Sequence, residues 1–239
     1  MATDPDTFLK AILIKDFRDF KTEAKAQSSG DNEPTVITVS RDYGSLGDEI
    51  AHKLADYLNI PLYDREILDK VAERAKVERF KFEQYDENVS AGVSTLLFSL
   101  LTGTAGDLQT YRRYLHEVVV DLAWKGGVLV GRGAHLILSD KKVLRLRIVG
   151  SERICARREA AKSGIPLHAA ERKVREINVR RNKSVLKLYG ERFEHPSLEC
   201  ARNFDLVINT DRLSVDSAVS VVLLAMQRAG FDLRKHVSS

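Results

Sequence analysis

The chain has 239 residues, of which 44% are hydrophobic and 30% are charged, and its net charge is +4. This length suits one large domain or one domain with an appendage, and the composition is that of an ordinary globular protein. The longest apolar run, "SVVLLAM" from Ser220, falls well short of the ~18 residues needed to span a bilayer, and "MATDPDTF" at the N-terminus lacks the basic and apolar blocks of a signal peptide. We therefore expect a cytoplasmic protein that does not bind a membrane.

Residues 1–34 are predicted to form a helix and a linker that precede the main domain. Phe8, Ile12, Phe17 and Phe20 recur at near-helical spacing, and the polar stretch "SSGDNEP" follows them. Nothing in this segment indicates chemistry. An apolar helix outside the main domain favours packing or self-association, so a homodimer is one expectation.

From residue 35 onwards, short apolar runs alternate with amphipathic segments. The predicted strands are "TVITV" (35–39), "IPLYD" (60–64), "GGVLVGRG" (126–133), "VLRLRIVG" (143–150) and "FDLVINT" (204–210). The predicted helices are 47–58, 65–77, most of 76–126, 151–164, 167–190 and 213–230. This alternation predicts an α/β fold with a parallel sheet that is covered by helices on both faces.

The segment "SRDYGSLG" lies between the first strand and the first helix, where open α/β sheets bind ligands. Gly44 and Gly47 would let backbone N–H groups converge, and the N-terminus of a helix attracts anions. A plain strand-to-helix turn is the alternative, which two glycines do not exclude. Against the Walker A pattern G-x-x-x-x-G-K-[ST], Gly47 replaces the lysine, Asp48 the Ser/Thr and Arg41 the first glycine. Arg41 would then supply the missing positive charge from the other end of the loop.

Basic residues are concentrated between Arg145 and Arg192, in segments such as "RKVR" and "VRRNK". They form either solvated helix faces or a cluster that faces phosphate. Nucleic acid is not expected, because aromatic residues are few and are not interleaved with the basic ones.

Cysteine and histidine residues give no indication of a metal site. Cys155 and Cys200 are far apart and lack metal-ligand spacing, so both are expected to be reduced and without a role. His135 and His168 have no partner near them in sequence, and we expect both to be neutral.

Five segments in order resemble the cytidylate-kinase-like family, a branch of the P-loop nucleoside monophosphate kinases. They are "SRDYGSLGDEIA" (40–51), "NIPLYDREIL" (59–68), "VLVGRGAHLIL" (128–138), "LRIVGSERICARR" (146–158) and "FDLVINTDRLS" (204–214). The resemblance runs from residue 35 to about residue 228. It implies a three-layer P-loop kinase fold over 35–239, with a five-stranded parallel sheet and a helical lid at about 151–192.

The resemblance also implies which residues form the site. Those expected to bind the donor nucleotide are Arg41, Gly44, Ser45, Leu46, Gly47, Asp48 and Arg153. Those expected to bind the acceptor are Asp64, Arg65 and Arg132. Those expected to stabilise the transferred phosphoryl group are Arg132, Arg157, Arg158 and Arg181, with Arg180 beside the last of them.

Each of these roles has a structural alternative. Arg132 would otherwise mark a surface strand end, and Arg157 and Arg158 would lie on a solvated helix face. Asp64 would otherwise cap the helix that begins at Arg65. The chemistry favours arginine independently, because phosphoryl transfer needs positive charge and exclusion of water, and the planar guanidinium donates two parallel bonds to phosphate.

The sequence departs from the family pattern at phosphate contacts. Leu46 replaces a glycine of the loop and Asp48 an arginine, whereas "NKSV" (182–185) keeps Lys183 but lacks the family's acid and final arginine. Two hypotheses follow. The chain is an ATP- and Mg²⁺-dependent kinase of a nucleoside monophosphate, with CMP or dCMP implied by the resemblance, or a nucleotide-binding regulatory module with little or no turnover. A kinase for another small phosphate acceptor is a third reading.

Overall fold

The computed structural model describes residues 34–75 and 107–233. The predictions for the N-terminal helix and for 76–106 lie outside the described residues. Within the described part, the five strands are β1 (Val36–Arg41), β2 (Leu62–Tyr63), β3 (Gly127–Val130), β4 (Leu144–Val149) and β5 (Leu206–Asn209). All pair in parallel in the order β2-β3-β1-β4-β5, so the predicted five-stranded parallel sheet is confirmed.

The helices in the described residues occupy nearly the predicted ranges. They are α1 (Gly47–Leu58), α2 (Arg65–Ala75), α3 (Asp107–Lys125), α4 (Ala134–Ile137), α5 (Glu152–Ser163), α6 (Leu167–Tyr189) and α7 (Val215–Arg228), with a 3₁₀ turn at Ala201–Asn203. The short helix α4 was not predicted, because four residues are too few to show a helical period. The end of α5 was predicted correctly: Gly164 takes the left-handed conformation that glycine favours after a helix.

Two apolar layers enclose the sheet. All six residues of β1 are buried, as expected for the central strand of a parallel sheet. One layer packs α1 and α7 on the sheet and contains Ile37, Leu54, Leu146, Val222 and Met226. The other packs α2, α3 and the end of α6 on the opposite face and contains Ile67, Leu115, Val119, Leu129 and Leu188. Full burial of each such side chain contributes about 1.5–3 kcal/mol before the entropy of folding is counted.

The strand order places the loop after β1 at the centre of one edge of the sheet. The chain moves to one side of β1 to form β2 and β3, and then crosses to the other side for β4 and β5. Ligands bind in open α/β sheets at this reversal, beyond the carboxyl ends of the strands. Among the described residues, no helix is both long and apolar enough to cross a bilayer.

His135 is a buried polar residue of α4 beside the carboxyl end of β1. Its Nδ1 lies 3.2 Å from Ser40 Oγ, and its ring stacks on Phe204 with centroids 4.7 Å apart. Burial, with the charges of Arg147 and Arg145, lowers the pKa of His135 to about 3. The side chain is therefore neutral, as expected, but its partners are far away in sequence.

The low pKa of His135 predicts a pH dependence of stability. Between pH 6.5 and about 3 the unfolded chain protonates this residue and the folded chain does not. The contribution of His135 to stability is therefore complete above pH 6.5 and is lost as the pH falls, at up to about 1.4 kcal/mol per pH unit. The free energy of unfolding, measured with denaturant at pH 7, 6 and 5, should decrease less with falling pH for His135→Gln than for the parent protein. His168→Gln, an exposed control on α6, should show the same pH dependence as the parent protein. The same pH dependence for all three proteins would contradict the assignment.

Candidate active site

The β1–α1 loop (residues 42–46) turns the chain through two left-handed residues. Gly44 has φ 77° and Leu46 has φ 64°. Glycine adopts this conformation without penalty, whereas leucine loses about 1–2 kcal/mol. The side chain of Leu46 packs against the apolar layer of α1 and α7, which holds the residue in place. The glycine that the family pattern has at this position therefore matches the backbone better than leucine does.

The N-terminus of α1 lacks a side-chain cap. Leu46 is the N-cap residue and makes no side-chain hydrogen bond to the helix, so the first-turn amides have no acceptor from the cap. A Cβ on Gly47 would lie 2.3 Å from Cβ of Arg41, so only glycine fits between the helix and that side chain. Backbone N–H groups and the dipole of α1 thus face the same edge of the sheet.

Ser45 is fully buried and anchors the loop from inside. Its hydroxyl donates to the carbonyl of Asp42 at 2.8 Å and lies 3.3 Å from that of Ile148. The hydroxyl of Thr210, at the end of β5, donates to the carbonyl of Ser45 at 2.8 Å. Only the backbone of Ser45 is therefore left to contact a phosphate.

Arg158, predicted to be catalytic, reaches from α5 to the loop and to β5. Its guanidinium donates to the carbonyl of Thr210 at 2.6 Å, to its hydroxyl at 3.0 Å and to the carbonyl of Gly44 at 3.4 Å. The side chain is half-buried and does not lie on a solvated helix face. In this structure Arg158 holds the loop in place.

Arg41, Asp48 and Asp64 meet at one guanidinium. Arg41 is buried, its Nε donates to Asp48 Oδ1 at 2.7 Å, and its Nη2 lies 3.8 Å from Asp64 Oδ2. Burial acts to raise the pKa of Asp48, but the charge and hydrogen bond of Arg41, with the charges of Arg181 and Lys162, lower it below its ordinary value. Three residues from two of the quoted motifs thus converge, and Arg41 is already engaged by carboxylates.

The predicted lid helices α5 and α6 pack against each other and contact the β1–α1 loop directly. Arg181 is buried, and its Nη1 donates to the carbonyl of Arg41 at 2.9 Å. The backbone N–H of Tyr43 donates to Asn178 Oδ1 at 2.8 Å. Lys173 and Arg181 lie over the Tyr43 ring, 5.3 and 5.8 Å from its centroid, within cation–π range.

Arg132 lies in the turn after β3 and is half-buried. It has φ 55° and stands between Gly131 and Gly133, whose φ values are also positive. The Tyr189 hydroxyl, at the end of α6, donates to the Arg132 carbonyl at 2.9 Å. Non-glycine residues in this conformation cost about 1–3 kcal/mol and cluster at functional sites. Arg132 therefore lies on a strained turn, at the edge of the sheet where Arg41 and Asp64 meet.

The remaining predicted arginines lie at the periphery. Arg65, Arg153 and Arg157 are exposed, and Arg180 is half-buried. In the described part of the chain, the three exposed arginines make no hydrogen bond to the β1–α1 loop.

Both cysteines are free thiols, as expected. Cys155 is buried and Cys200 is half-buried. Burial raises the pKa of Cys155 to about 11, so this thiol is protonated at neutral pH. Within residues 34–75 and 107–233, no group of three or more His, Cys, Asp or Glu residues is arranged to hold a metal ion.

Several residues that hold the site were not predicted. Asp42 and Tyr43 lie in the β1–α1 loop and bind Arg147 and Asn178. Thr210 contacts the loop, and Tyr189 contacts the turn that carries Arg132. Thr210 lies within a quoted motif, and Arg147 alternates with the apolar residues of β4. These two signals were available in the sequence, whereas the contacts of Tyr43 and Tyr189 depend on how α6 docks.

Three solved structures are similar to this chain, and the alignment covers nearly the whole length of each of them. An uncharacterized protein from Eubacterium ventriosum aligns at TM-score 0.60 and 22% identity, over 81% of this chain and 98% of its own. Shikimate kinase from Acinetobacter baumannii, in complex with shikimate, aligns at TM-score 0.46 and 12% identity, over 83% of this chain and 96% of its own. Shikimate kinase from Bacteroides thetaiotaomicron aligns at TM-score 0.46 and 15% identity, over 81% of this chain and 98% of its own. No curated protein matches the sequence significantly.

The family is established by the sequence match. Residues 36–212, well over half of the chain, match the profile of the cytidylate kinase-like family. This range begins at β1 and includes the β1–α1 loop, the turn at Arg132, α5, α6 and the end of β5. The predicted P-loop kinase fold is confirmed, and the chain belongs to the cytidylate kinase-like family.

Proposed function

We propose that this chain transfers the terminal phosphoryl group of ATP to a nucleoside monophosphate, with CMP or dCMP as the acceptor that the family suggests. The observation that carries the proposal is the β1–α1 loop. It presents the uncapped N-terminus of α1 at the carboxyl edge of the sheet, beside Arg132 and Asp64. Family membership supports a phosphotransferase in general, and the acceptor is the finer part of the proposal.

The backbone of the site fits the phosphates of the donor. The first-turn amides of Gly47 and Asp48 would donate to phosphate oxygens, and Gly47 allows the side chain of Arg41 to pack against the start of α1. The Walker A lysine is absent, so positive charge would come from guanidinium groups. Arg41 is the nearest, provided that it exchanges a carboxylate for a phosphate.

Two carboxylates at the site fit a divalent cation. Asp48 and Asp64 both approach Arg41, and carboxylate oxygens are preferred ligands of Mg²⁺. When bound, Mg²⁺ would neutralise charge on the donor phosphates and separate them from Asp48. These two side chains would hold the ion once Arg41 has turned towards the phosphates.

Phosphoryl transfer needs little covalent participation by the protein. An oxygen of the acceptor's own phosphate attacks the terminal phosphorus of ATP, a new P–O bond forms, and the bond to ADP breaks. We assign Arg132 to the acceptor phosphate and the transferred group, because it stands beside the loop on a strained turn. We assign the lid role to residues 151–192, where α5 and α6 would exclude water.

One observation favours the alternative of a binding module with little turnover. Arg41 is engaged by Asp48, and Arg158 by Thr210. Two guanidinium groups expected at the phosphates are therefore used inside the protein. Such a module would bind ATP without transferring phosphate to any acceptor.

A coupled assay with ATP, Mg²⁺ and each nucleoside monophosphate tests the proposal. We expect turnover with CMP or dCMP. For Arg132→Ala we expect a loss of about 100-fold or more in kcat/KM, because the guanidinium that stabilises the negative charge of the transferred group is removed. Arg202→Ala is the matched control: it removes an exposed arginine before β5, at the other edge of the sheet, and should retain full activity. ATP binding with no turnover on any acceptor would favour the module.

Asp48→Arg is expected to tighten the binding of ATP in the absence of Mg²⁺, measured by calorimetry. The substitution removes a negative charge beside the phosphates and frees Arg41 from its ion pair. Glu49→Arg changes the net charge equally in the same helical turn, where Glu49 is exposed and lies 3.5 Å from Lys162. If only Asp48→Arg increases the affinity for ATP, the result supports the placement of Asp48 beside the phosphates. Unchanged or weaker binding would mean that Asp48 does not face the phosphates.

A further inference from the structure

Arg147 on β4 is a buried guanidinium that contacts the β1–α1 loop from beneath. Its Nη2 donates to Asp42 Oδ1 at 2.5 Å, and its Nε donates to the carbonyl of Leu198 at 3.1 Å. Its Nη1 is buried and has no hydrogen-bond partner among residues 34–75 and 107–233. In the sheet, Arg147 is paired with Ser40 of β1, so it lies directly beside the strand that leads into the loop.

Asp42, the first residue of the loop, is fixed at three points. Its N–H donates to the carbonyl of Ile148 at 2.9 Å, and its carboxylate accepts from Arg147. Its own carbonyl accepts from the hydroxyl of Ser45 at 2.8 Å and from the N–H of Ser45 at 3.4 Å. Asp42 therefore helps to fix the position of Ser45, together with the carbonyl of Ile148 and the hydroxyl of Thr210.

Ser45 connects this chain of contacts to the phosphate-facing backbone. It stands between Gly44 and Leu46, the two left-handed residues of the loop. Because its side chain is fully buried and points inward, a shift of Ser45 moves the amides on either side of it. The path from Arg147 to these amides thus runs through one carboxylate and one buried serine.

Stability alone does not account for this ion pair. The residues of β4 that alternate with Arg145 and Arg147 are Leu144, Leu146 and Ile148, all buried and apolar. Replacing a buried ion pair by apolar residues is often neutral or stabilising. The unpartnered Nη1 adds a further desolvation cost. A guanidinium at this position is explained by the geometry that it imposes on Asp42.

We propose that Arg147 is a positioning residue of the β1–α1 loop, which acts through Asp42 and Ser45 to set the affinity for the donor phosphates. The inference rests on the proposed function. It assigns Arg147 no contact with either nucleotide.

The same strand offers a matched control. Arg145 lies two residues earlier and forms an ion pair with Asp205, with Nη2 at 2.5 Å and Nε at 3.1 Å from the carboxylate oxygens. This pair lies at the start of β5, away from the loop. Arg145→Met therefore removes a comparable ion pair without touching Asp42.

The experiment measures MgATP binding by calorimetry for the full chain, with thermal unfolding and the KM of each nucleotide alongside. We expect Arg147→Met and Asp42→Asn each to weaken MgATP binding about tenfold, the effect of a lost charged hydrogen bond. The double variant should bind MgATP no more weakly than the single variant with the lower affinity, because both substitutions remove the same contact. The KM of the acceptor should not change, and Arg145→Met should lower the melting temperature without weakening MgATP binding.

Three results would overturn the inference while leaving the proposed function intact. They are parent-like MgATP binding by Arg147→Met or Asp42→Asn, additive losses in the double variant, and an equal loss for Arg145→Met. Asp42→Asn is nearly isosteric, so it decides the matter if Arg147→Met does not fold. A parent protein that binds no MgATP would remove the proposed function, and this inference with it.

Discussion

The β1–α1 loop is held in shape by hydrogen bonds from side chains that lie outside it. It contains two left-handed residues, one of them a leucine, and such a backbone persists only where its surroundings fix it. The side chains that fix it come from β4, α5, α6 and the end of β5, and they are Arg147, Arg158, Asn178, Arg181 and Thr210. Elements far apart in sequence thus determine where the amides of the loop point.

Two guanidinium groups of the site are engaged before any ligand enters. Arg41 is bound by Asp48 and lies near Asp64, and Arg158 is bound by the end of β5. A polyphosphate would have to compete with these carboxylates for Arg41, or approach them through a cation. The proposed kinase activity requires that Arg41 makes this exchange.

The sheet and the longer helices were predicted from the sequence, because they follow from local periodicity. The convergence of Arg41 and Asp64 was also predictable, because the carboxyl ends of parallel strands meet at one edge of the sheet. The sequence did not predict how guanidinium groups are used. Arg158 looked equally like a catalytic or a solvated residue, and its partner Thr210 is 52 positions away. Ser45 looked like a phosphate contact, but its hydroxyl is buried among carbonyl groups. Such contacts follow from tertiary packing, which spacing does not encode.

We propose that the β1–α1 loop binds a polyphosphate through its backbone amides. NMR of the isotopically labelled protein during titration with MgATP measures this binding at each amide. We expect saturable changes in the amide chemical shifts of Gly44, Leu46 and Gly47 that exceed those at the amino ends of the strands. If these three chemical shifts do not change with millimolar MgATP while the protein remains folded, the loop does not bind a polyphosphate.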